Sequence, residues 1–153
     1  MFKKKLGIID LSKNKITIKQ IPESLKKLFL GGRGLNSFYL YKMIKPRIDP
    51  FSPNNVLIFG TGFLTGTLVP NSSRFNVSSK SPETGILGDA NCGGYFAAEL
   101  RYAGFDRLII QGKAKNPCYL YVNDGKIEIK DARDYWGMDT TEIQKNLKKN
   151  LGG

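Results

Sequence analysis

The order in which strand-like and helix-like segments follow one another constrains the fold of this chain more than any other feature. Two alternating segments, 4–10 and 15–21, flank a polar turn and predict a β-hairpin. Two helical stretches separated by Gly31 and Gly32 come next, followed by strands, one helix, strands and a last helix. Because strands and helices do not alternate strictly, this order favours an α+β fold over a doubly wound parallel sheet.

The second half of the chain carries the clearest local signals. Asn123-Asp124-Gly125 lies between two alternating segments and predicts a tight hairpin turn. Asp139 and Glu142 have the Asp-x-x-Glu spacing that is typical of a helix start. The other elements predicted here are strands at 56–59, 74–79 and 108–110 and a helix at 95–103.

Charge is distributed unevenly along the 153 residues, whose formal net charge is +11. Residues 1–47 hold 12 Lys/Arg and two acids, a net +10, whereas residues 48–153 hold 12 Lys/Arg and 11 acids and are nearly neutral. A basic surface of this kind suits nucleic acid or an acidic protein partner. We expect a solvated basic face, or one that docks an acidic partner, rather than a dedicated nucleic-acid surface.

The composition excludes several classes of protein. No apolar run approaches the roughly 18–20 residues that a membrane span needs, so we expect no membrane partner. The two cysteines, Cys92 and Cys118, have neither metal-cluster nor disulfide spacing, and the chain contains no histidine that could serve as a base. We therefore predict a cytoplasmic protein and assign no catalytic residue to this chain.

One stretch, residues 74–94, combines the groups that bind a phosphate. Arg74 begins a predicted strand, and its planar guanidinium suits bidentate contact with phosphate oxygens. Residues 89–94, Asp-Ala-Asn-Cys-Gly-Gly, predict a turn before a helix, where the amide of Gly93 is open to a ligand. A side-chain or main-chain carbonyl of Asn91 suits a magnesium ion that bridges phosphates. The alternative interpretations are that Arg74 forms a surface salt bridge and that Asn91 is the N-cap of a helix.

Two other glycine-containing motifs have structural as well as functional interpretations. The glycines of residues 60–66 follow an apolar strand, but the Thr, Val and Pro residues after them disfavour the helix that a dinucleotide-binding loop needs. We interpret this segment as a glycine-rich loop that supports the site. Arg33 follows a glycine pair and either separates two helices or presents its charge to an anion or a partner domain.

Seven short blocks occur in order along nearly the whole chain. They are LGGRGL at 30–35, DPFSPNN at 49–55, TGFLTGT at 61–67, ANCGGYF at 90–96, ELRYAGFD at 99–106, GKA at 112–114 and WG at 136–137. Together these blocks resemble the N-terminal domain of the aldehyde ferredoxin oxidoreductase family. A set of ordered blocks is far more specific than any one glycine motif.

The resemblance implies a fold, an activity and a cofactor. Family members oxidise aldehydes to carboxylic acids, with water as the oxygen source and ferredoxin as the electron acceptor. They carry a tungsten or molybdenum bis-pterin cofactor (tungstopterin or molybdopterin) and a neighbouring four-iron (4Fe-4S) cluster. Their N-terminal domain is similar to a saddle of two β-sheets on which the pterins rest, so we expect two β-sheets and a few packed helices here.

The resemblance also implies roles for three residues. By its position in the motifs, Arg74 corresponds to the arginine that contacts the pterin and lies between it and the cluster. Asn91 corresponds to the residue whose carbonyl binds the magnesium between the two pterin phosphates, and Gly93 to a backbone contact with the cofactor. Arg74, Asn91 and Gly93 are therefore the expected cofactor-binding residues, with Asn91 as the metal ligand.

Part of the family's chemistry lies outside this sequence. The cluster cysteines, the acid and histidine near the metal, and a second magnesium-binding carbonyl lie downstream in the family, and Cys92 replaces a small residue such as serine. We therefore predict that residues 1–153 are the cofactor-cradling N-terminal domain of a longer enzyme and are inactive alone. Its expected partners are the C-terminal domains and ferredoxin, and homo-oligomer formation stays open. The alternative is a stand-alone, non-catalytic module that binds anions or nucleic acid through residues 1–47.

Overall fold

A six-stranded mixed sheet and a separate two-stranded sheet organise the chain, of which the computed structural model describes residues 5–152. The strands are β1 (Lys5–Asp10), β2 (Lys15–Gln20), β3 (Val56–Thr61), β4 (Phe75–Lys80), β5 (Leu87–Cys92), β6 (Arg107–Gln111), β7 (Cys118–Asn123) and β8 (Lys126–Asp131). The helices are α1 (Glu23–Phe29), α2 (Gly32–Met43), α3 (Phe96–Tyr102) and α4 (Thr140–Leu151), with one 3₁₀ turn at Arg133–Tyr135. The predicted α+β class with two β-sheets is confirmed.

Strands of the larger sheet follow the order β2-β1-β6-β3-β4-β5. The N-terminal hairpin is confirmed as β1 and β2, although position 4 of the predicted strand lies outside the described residues. β1 and β6 run parallel, and the other neighbouring pairs are antiparallel. β5 lies at one edge, with β4 as its one neighbour in the sheet among residues 5–152. In the same part of the chain, no helix is both long and apolar enough to cross a bilayer.

Each face of the larger sheet has its own hydrophobic core. On one face, α1 and α2 cover a cluster that includes the buried side chains of Leu35, Ile58 and Ile109. On the other face, α3 and the β7–β8 hairpin cover a cluster that includes Ile9 and Phe105. Alternate residues of a strand face opposite sides of a sheet, so the central strands contribute side chains to both cores.

Two local predictions are confirmed in detail. Asp124 and Gly125 have φ angles of 44° and 76°, as a type I′ hairpin turn requires. The Gly125 N–H donates to the Ala103 carbonyl over 2.7 Å, which attaches the β7–β8 hairpin to the end of α3. The Asp139 carboxylate accepts from the Glu142 N–H over 2.9 Å, and the Glu142 side chain accepts from the Asp139 N–H in return.

The junction between α1 and α2 depends on a glycine. Leu30 ends α1 in the left-handed conformation with φ 54°, and Gly31 follows with φ 120°. A Cβ on Gly31 would lie 2.9 Å from the carbonyl oxygen of Thr61. Glycine permits both this φ and this close approach, so the start of α2 packs directly against the end of β3.

The turn predicted at residues 89–94 is wrong in its first four residues. Residues 89–92 belong to β5, which pairs with β4 along its whole length. The polar sequence concealed this strand because β5 is an edge strand and most of its residues are exposed. Asn76 of β4 donates to Asp89 over 3.0 Å, which gives the two strands a polar cross-strand contact. The chain leaves the sheet only at Gly93 and Gly94.

A chain of buried polar side chains joins α2 to the sheet. Arg107 of β6 donates from Nε to Asn36 Oδ1 over 2.6 Å and from Nη2 to the Gly32 carbonyl over 3.0 Å. Asn36 Nδ2 donates to Asn76 Oδ1 over 2.9 Å. Arg107, Asn36 and Asn76 are at most 2% exposed. Burial lowers the pKa of the Arg107 guanidinium to about 10, so this buried group is positively charged at neutral pH.

Gly60 of β3 leaves the space that this polar chain occupies. A Cβ at position 60 would lie 2.2 Å from Asn36 Oδ1 and 2.4 Å from Arg107 Nη2. Both atoms are hydrogen-bonded and buried, so neither can move away without losing a partner. A glycine is therefore required here for close packing between β3 and α2.

We predict that Gly60→Ala lowers the free energy of unfolding by about 2–4 kcal/mol, because the new methyl displaces a buried amide and a buried guanidinium. Gly34→Ala is the matched control, since Gly34 lies within α2 and its Cβ would meet Phe29 at 3.4 Å, an ordinary contact. The control should raise stability by up to about 1 kcal/mol. Urea denaturation measures both values, and equal stabilities for the two variants would contradict this packing.

A second prediction concerns the buried charge. Asn36→Leu removes the acceptor for Arg107 Nε and should lower the free energy of unfolding by about 3–5 kcal/mol. The double variant Asn36→Leu/Arg107→Met replaces both partners by apolar groups and should recover most of that loss. A double-mutant cycle followed by denaturation measures the coupling. Losses that simply add would show that the two side chains are not coupled.

Candidate anion-binding site

The three residues predicted for the site lie at one end of the β4–β5 pair. The antiparallel register places Arg74, which directly precedes β4, opposite Gly93, which directly follows β5. Asn91 lies two residues before Gly93 on the same strand. The Ser73 hydroxyl donates to the Gly94 carbonyl and holds the two chain segments together beyond the sheet. The structure therefore brings the three predicted residues to one place.

Arg74 presents a guanidinium without a partner in the part of the chain that the structure describes. The residue is exposed, and its side chain forms no hydrogen bond or ion pair with residues 5–152. Its main chain is held in place, because Thr65 Oγ1 donates to the Arg74 carbonyl and accepts from the Gly62 N–H. The alternative of an arginine in a surface salt bridge is therefore not observed among these residues. Such a guanidinium is free to contact an anion.

A shallow groove of about 450 Å³ lies beside Arg74. Gly31 and Gly32 from the α1–α2 junction and Gly62 from the loop after β3 form part of its wall. Arg101 of α3 holds that loop, with Nη1 donating to the Gly62 carbonyl over 3.0 Å. The glycine-rich loop after β3 therefore lines the groove and opens no helix, as the sequence predicts.

The main-chain N–H and C=O of Asn91 point away from β4, off the edge of the sheet. Backbone hydrogen bonds in an antiparallel pair join every second residue pair, and the bond from the Ser81 N–H to the Ile86 carbonyl at 2.8 Å sets that alternation here. By this alternation, Val77 and Ala90 form a hydrogen-bonded pair. Asn91, the next residue along β5, therefore makes no main-chain hydrogen bond to β4. Its N–H and C=O therefore point off the edge of β5 that no other described strand covers. A carbonyl in this position is available to a hard cation.

The side chain of Asn91 belongs to a polar cluster on the α2 side of the sheet. Asn76 Nδ2 lies 3.3 Å from Asn91 Oδ1 and 3.0 Å from Asp89 Oδ2. Arg33 Nε lies 3.4 Å from the same Asp89 oxygen, so an ion pair joins the first turn of α2 to β5. Arg33 therefore both follows the helix junction and presents its charge at the edge of the site.

Gly93 and Gly94 expose their main chain beside these side chains. Gly94 has φ 90°, and a Cβ on Gly93 would meet no described atom closer than the Ser73 carbonyl oxygen at 4.0 Å. The interpretation of Asn91 as a helix N-cap is wrong, because the N-cap of α3 is Tyr95. The exposed amides therefore belong to the exit of a strand, which leaves their donors open to a ligand.

The described residues include no group of three or more His, Cys, Asp or Glu side chains that could hold a metal ion. Cys92 is exposed at the end of β5, Cys118 begins β7, and both are free thiols. The expected cation ligand at the candidate site is thus the main-chain oxygen of Asn91, not a cluster of charged side chains.

Sequence reasoning missed Asn36, Asn76, Asp89 and Arg107. Asn36 lies on the buried face of α2 with Leu35 and Leu40, and it is completely buried. Arg107 directly precedes the apolar run Leu108-Ile109-Ile110 of β6 and is also buried. A polar residue at a position whose pattern predicts burial needs a hydrogen-bond partner, and this was the available signal.

The N-terminal excess of positive charge lies partly at a different groove. Lys42, Lys45, Arg47 and Lys80 line a cavity of about 690 Å³ together with apolar residues of α2 and of the loop before β5. The residues that line this cavity do not line the groove at Arg74. The basic groove and the candidate site are therefore separate surfaces.

Comparison with known proteins identifies the relatives of this chain. A family model described as aldehyde ferredoxin oxidoreductase, N-terminal domain, matches residues 6–153. The tungsten-containing aldehyde ferredoxin oxidoreductase of Pyrococcus horikoshii is 46% identical over 144 residues, which cover 94% of this chain and 24% of that protein. The aliphatic sulfonate oxidoreductase, WOR-like subunit, of Pyrococcus furiosus is 38% identical over 151 residues, covering 96% and 24% respectively.

A solved structure of similar sequence has the same fold as this chain. It is a chain of the active-site complex BamBC of benzoyl coenzyme A reductase in complex with 1,5-dienoyl-CoA, with a TM-score of 0.95 and 37% identity over 99% of this chain and 23% of that chain. The chain thus spans about a quarter of the length of these relatives. Because the family model matches nearly all of it, the chain belongs to the aldehyde ferredoxin oxidoreductase family of enzymes, in which it corresponds to the N-terminal domain.

Proposed function

We propose that residues 1–153 form the cofactor-cradling N-terminal domain of a tungsten or molybdenum bis-pterin aldehyde:ferredoxin oxidoreductase. In this role the domain holds the pterin phosphates and the magnesium ion between them, in an enzyme that oxidises an aldehyde to a carboxylic acid. The observation that carries the proposal is the convergence of Arg74, the Asn91 carbonyl and Gly93 at one end of the β4–β5 pair.

The donor and acceptor groups of this site fit a phosphate-bearing cofactor with magnesium. The Arg74 guanidinium and the exposed amides near Gly93 are hydrogen-bond donors, which phosphate oxygens accept. The outward-facing Asn91 carbonyl is a hard oxygen ligand of the kind that magnesium prefers. The Arg74 guanidinium has no partner within residues 5–152, so binding a phosphate would break no existing ion pair there.

The contribution of this chain is positioning and electrostatic stabilisation. When bound, the metal–pterin group supplies the redox chemistry, and the protein orients it. Arg74 neutralises phosphate charge at the rim of the groove, while Gly31 and Gly62 let the main chain approach closely. Arg101 fixes the loop at Gly62, so that this wall is formed before a ligand arrives.

The remaining parts of the reaction belong to the rest of a longer enzyme. The chain covers 24% of its tungsten-containing relative. We propose that C-terminal domains bind the four-iron cluster and the substrate, and that ferredoxin accepts the electrons.

The first test of the proposed function is the cofactor content of the full-length protein that carries this domain. Wild-type protein should contain tungsten or molybdenum, pterin and magnesium, measured by mass spectrometry of metals and by pterin fluorescence. Arg74→Ala removes a charge-assisted hydrogen bond of about 1.5–3 kcal/mol. The affinity for the cofactor should therefore fall by about ten- to hundredfold, and Arg74→Lys, which keeps the charge but loses the planar fork, should fall by less.

Arg133→Ala is the matched control, because this arginine is also exposed but pairs with Asp131 outside the site. It should leave the cofactor content unchanged. Folded full-length protein with neither tungsten nor molybdenum would reject the proposal. Salt-dependent binding of DNA or RNA by the 153-residue chain that survives Arg74→Ala would favour the alternative, a stand-alone anion or nucleic-acid binding module.

A further inference from the structure

The side-chain amide of Asn76 is held in one orientation from both sides. Its oxygen accepts from Asn36 over 2.9 Å and from the Ser78 hydroxyl over 2.6 Å, and its nitrogen donates to Asp89 over 3.0 Å. A guanidinium only donates hydrogen bonds and a carboxylate only accepts them. Arg107 at one end and Asp89 at the other therefore fix the direction of the whole hydrogen-bond chain.

This direction determines how the side chain of Asn91 is turned. Asn76 Nδ2 lies 3.3 Å from Asn91 Oδ1, so the Asn91 side-chain oxygen faces the nitrogen of Asn76. The Asn91 NH₂ group has no hydrogen-bond partner among residues 5–152, and the residue is exposed. An NH₂ group offers two donors and no acceptor, so it suits a phosphate oxygen and cannot ligate a cation.

The neighbouring carboxylate is compatible with an anion at this position. Asp89 would repel a phosphate if its charge were unpaired. Its oxygen Oδ2 lies 3.4 Å from Arg33 Nε and 3.0 Å from Asn76 Nδ2, and its side chain is 23% exposed. The Asp89 charge is therefore compensated within the protein, and its acceptor capacity is used to orient Asn76.

We propose that Asn76 is a positioning residue, which turns Asn91 so that its NH₂ group donates to a cofactor phosphate and its main-chain carbonyl alone binds magnesium. The inference rests on the proposed function, since it takes the phosphate and the magnesium from it. It adds which group of Asn91 meets which ligand, and it gives a function to the buried polar chain behind the site.

Two substitutions of Asn91 separate the two possible uses of its side chain. Asn91→Ala removes the NH₂ donor and keeps the main-chain carbonyl, so pterin and magnesium affinity in the full-length protein should fall by about tenfold. Asn91→Asp still accepts from Asn76 but places a carboxylate towards the phosphate, so the affinity should fall further than in Asn91→Ala. If the side-chain oxygen instead bound magnesium, Asn91→Asp would retain more cofactor than Asn91→Ala, and that order would overturn the inference.

A polarity exchange tests Asn76 itself. Asn76→Asp replaces the donor that faces Asp89 and Asn91 by an acceptor, so bound pterin and magnesium per folded polypeptide should fall by about tenfold or more. The double variant Asn76→Asp/Asp89→Asn restores a donor and an acceptor between positions 76 and 89 and should recover the stability of the fold. Its binding should stay low, because position 76 still offers Asn91 only an acceptor and so turns the Asn91 NH₂ group inward. Thr61→Val is the control for a lost buried hydrogen bond, since the Thr61 hydroxyl donates to the Asp106 carbonyl and contacts none of these groups.

The outcomes separate this inference from the proposed function. Wild-type protein without metal–pterin would reject the proposed function, and the inference with it. A loaded wild type with equally loaded Asn91→Ala and Asn76→Asp variants would reject the inference alone. If Asn76→Asp fails to fold, the order of the two Asn91 variants still decides, because Asn91 is exposed on an edge strand.

Discussion

The buried guanidinium of Arg107 is the constraint on which the rest of this structure depends. A charge inside a protein is strongly unfavourable unless hydrogen bonds satisfy it. Here Asn36 and the Gly32 carbonyl accept from it, the Tyr39 ring lies 5.9 Å away, and Gly60 leaves the room that this arrangement needs. These contacts lock the first turn of α2 to β6 and β3, so the junction that lines the candidate site has one fixed position.

The same hydrogen bonds continue from the core to the surface. Asn36 connects the guanidinium to Asn76, and Asn76 reaches Asp89 and Asn91 on the edge strand. A site supported in this way needs little reordering when a ligand binds, which lowers the entropic cost of binding. The exposed groups, in contrast, come from the place where β4 and β5 leave the sheet. A rigid interior and an open strand end together give a preorganised anion site.

The sequence predicts features that depend on neighbouring residues and misses those that depend on distant ones. The turn at Asp124 and Gly125 and the helix start at Asp139 follow from local backbone preferences, and both are confirmed. β5 was missed because its polar side chains are stabilised by β4, which no local pattern encodes. Arg107 and Asn36 bond across 71 residues of sequence, so their local patterns signal that each needs a partner but do not identify that partner. The three site residues could be named together because their phosphate-binding chemistry and the motif resemblance point to the same positions.

The most direct test of the proposed site is a crystal structure of the loaded full-length protein that resolves magnesium and its ligands. We predict a magnesium ion on the main-chain carbonyl of Asn91, with the Asn91 NH₂ group and the Arg74 guanidinium donating to phosphate oxygens. Asn76 should keep its bonds to Asp89 and Asn91. A phosphate bound away from the β4–β5 strand ends, or magnesium ligated by the Asn91 side chain, would contradict these predictions.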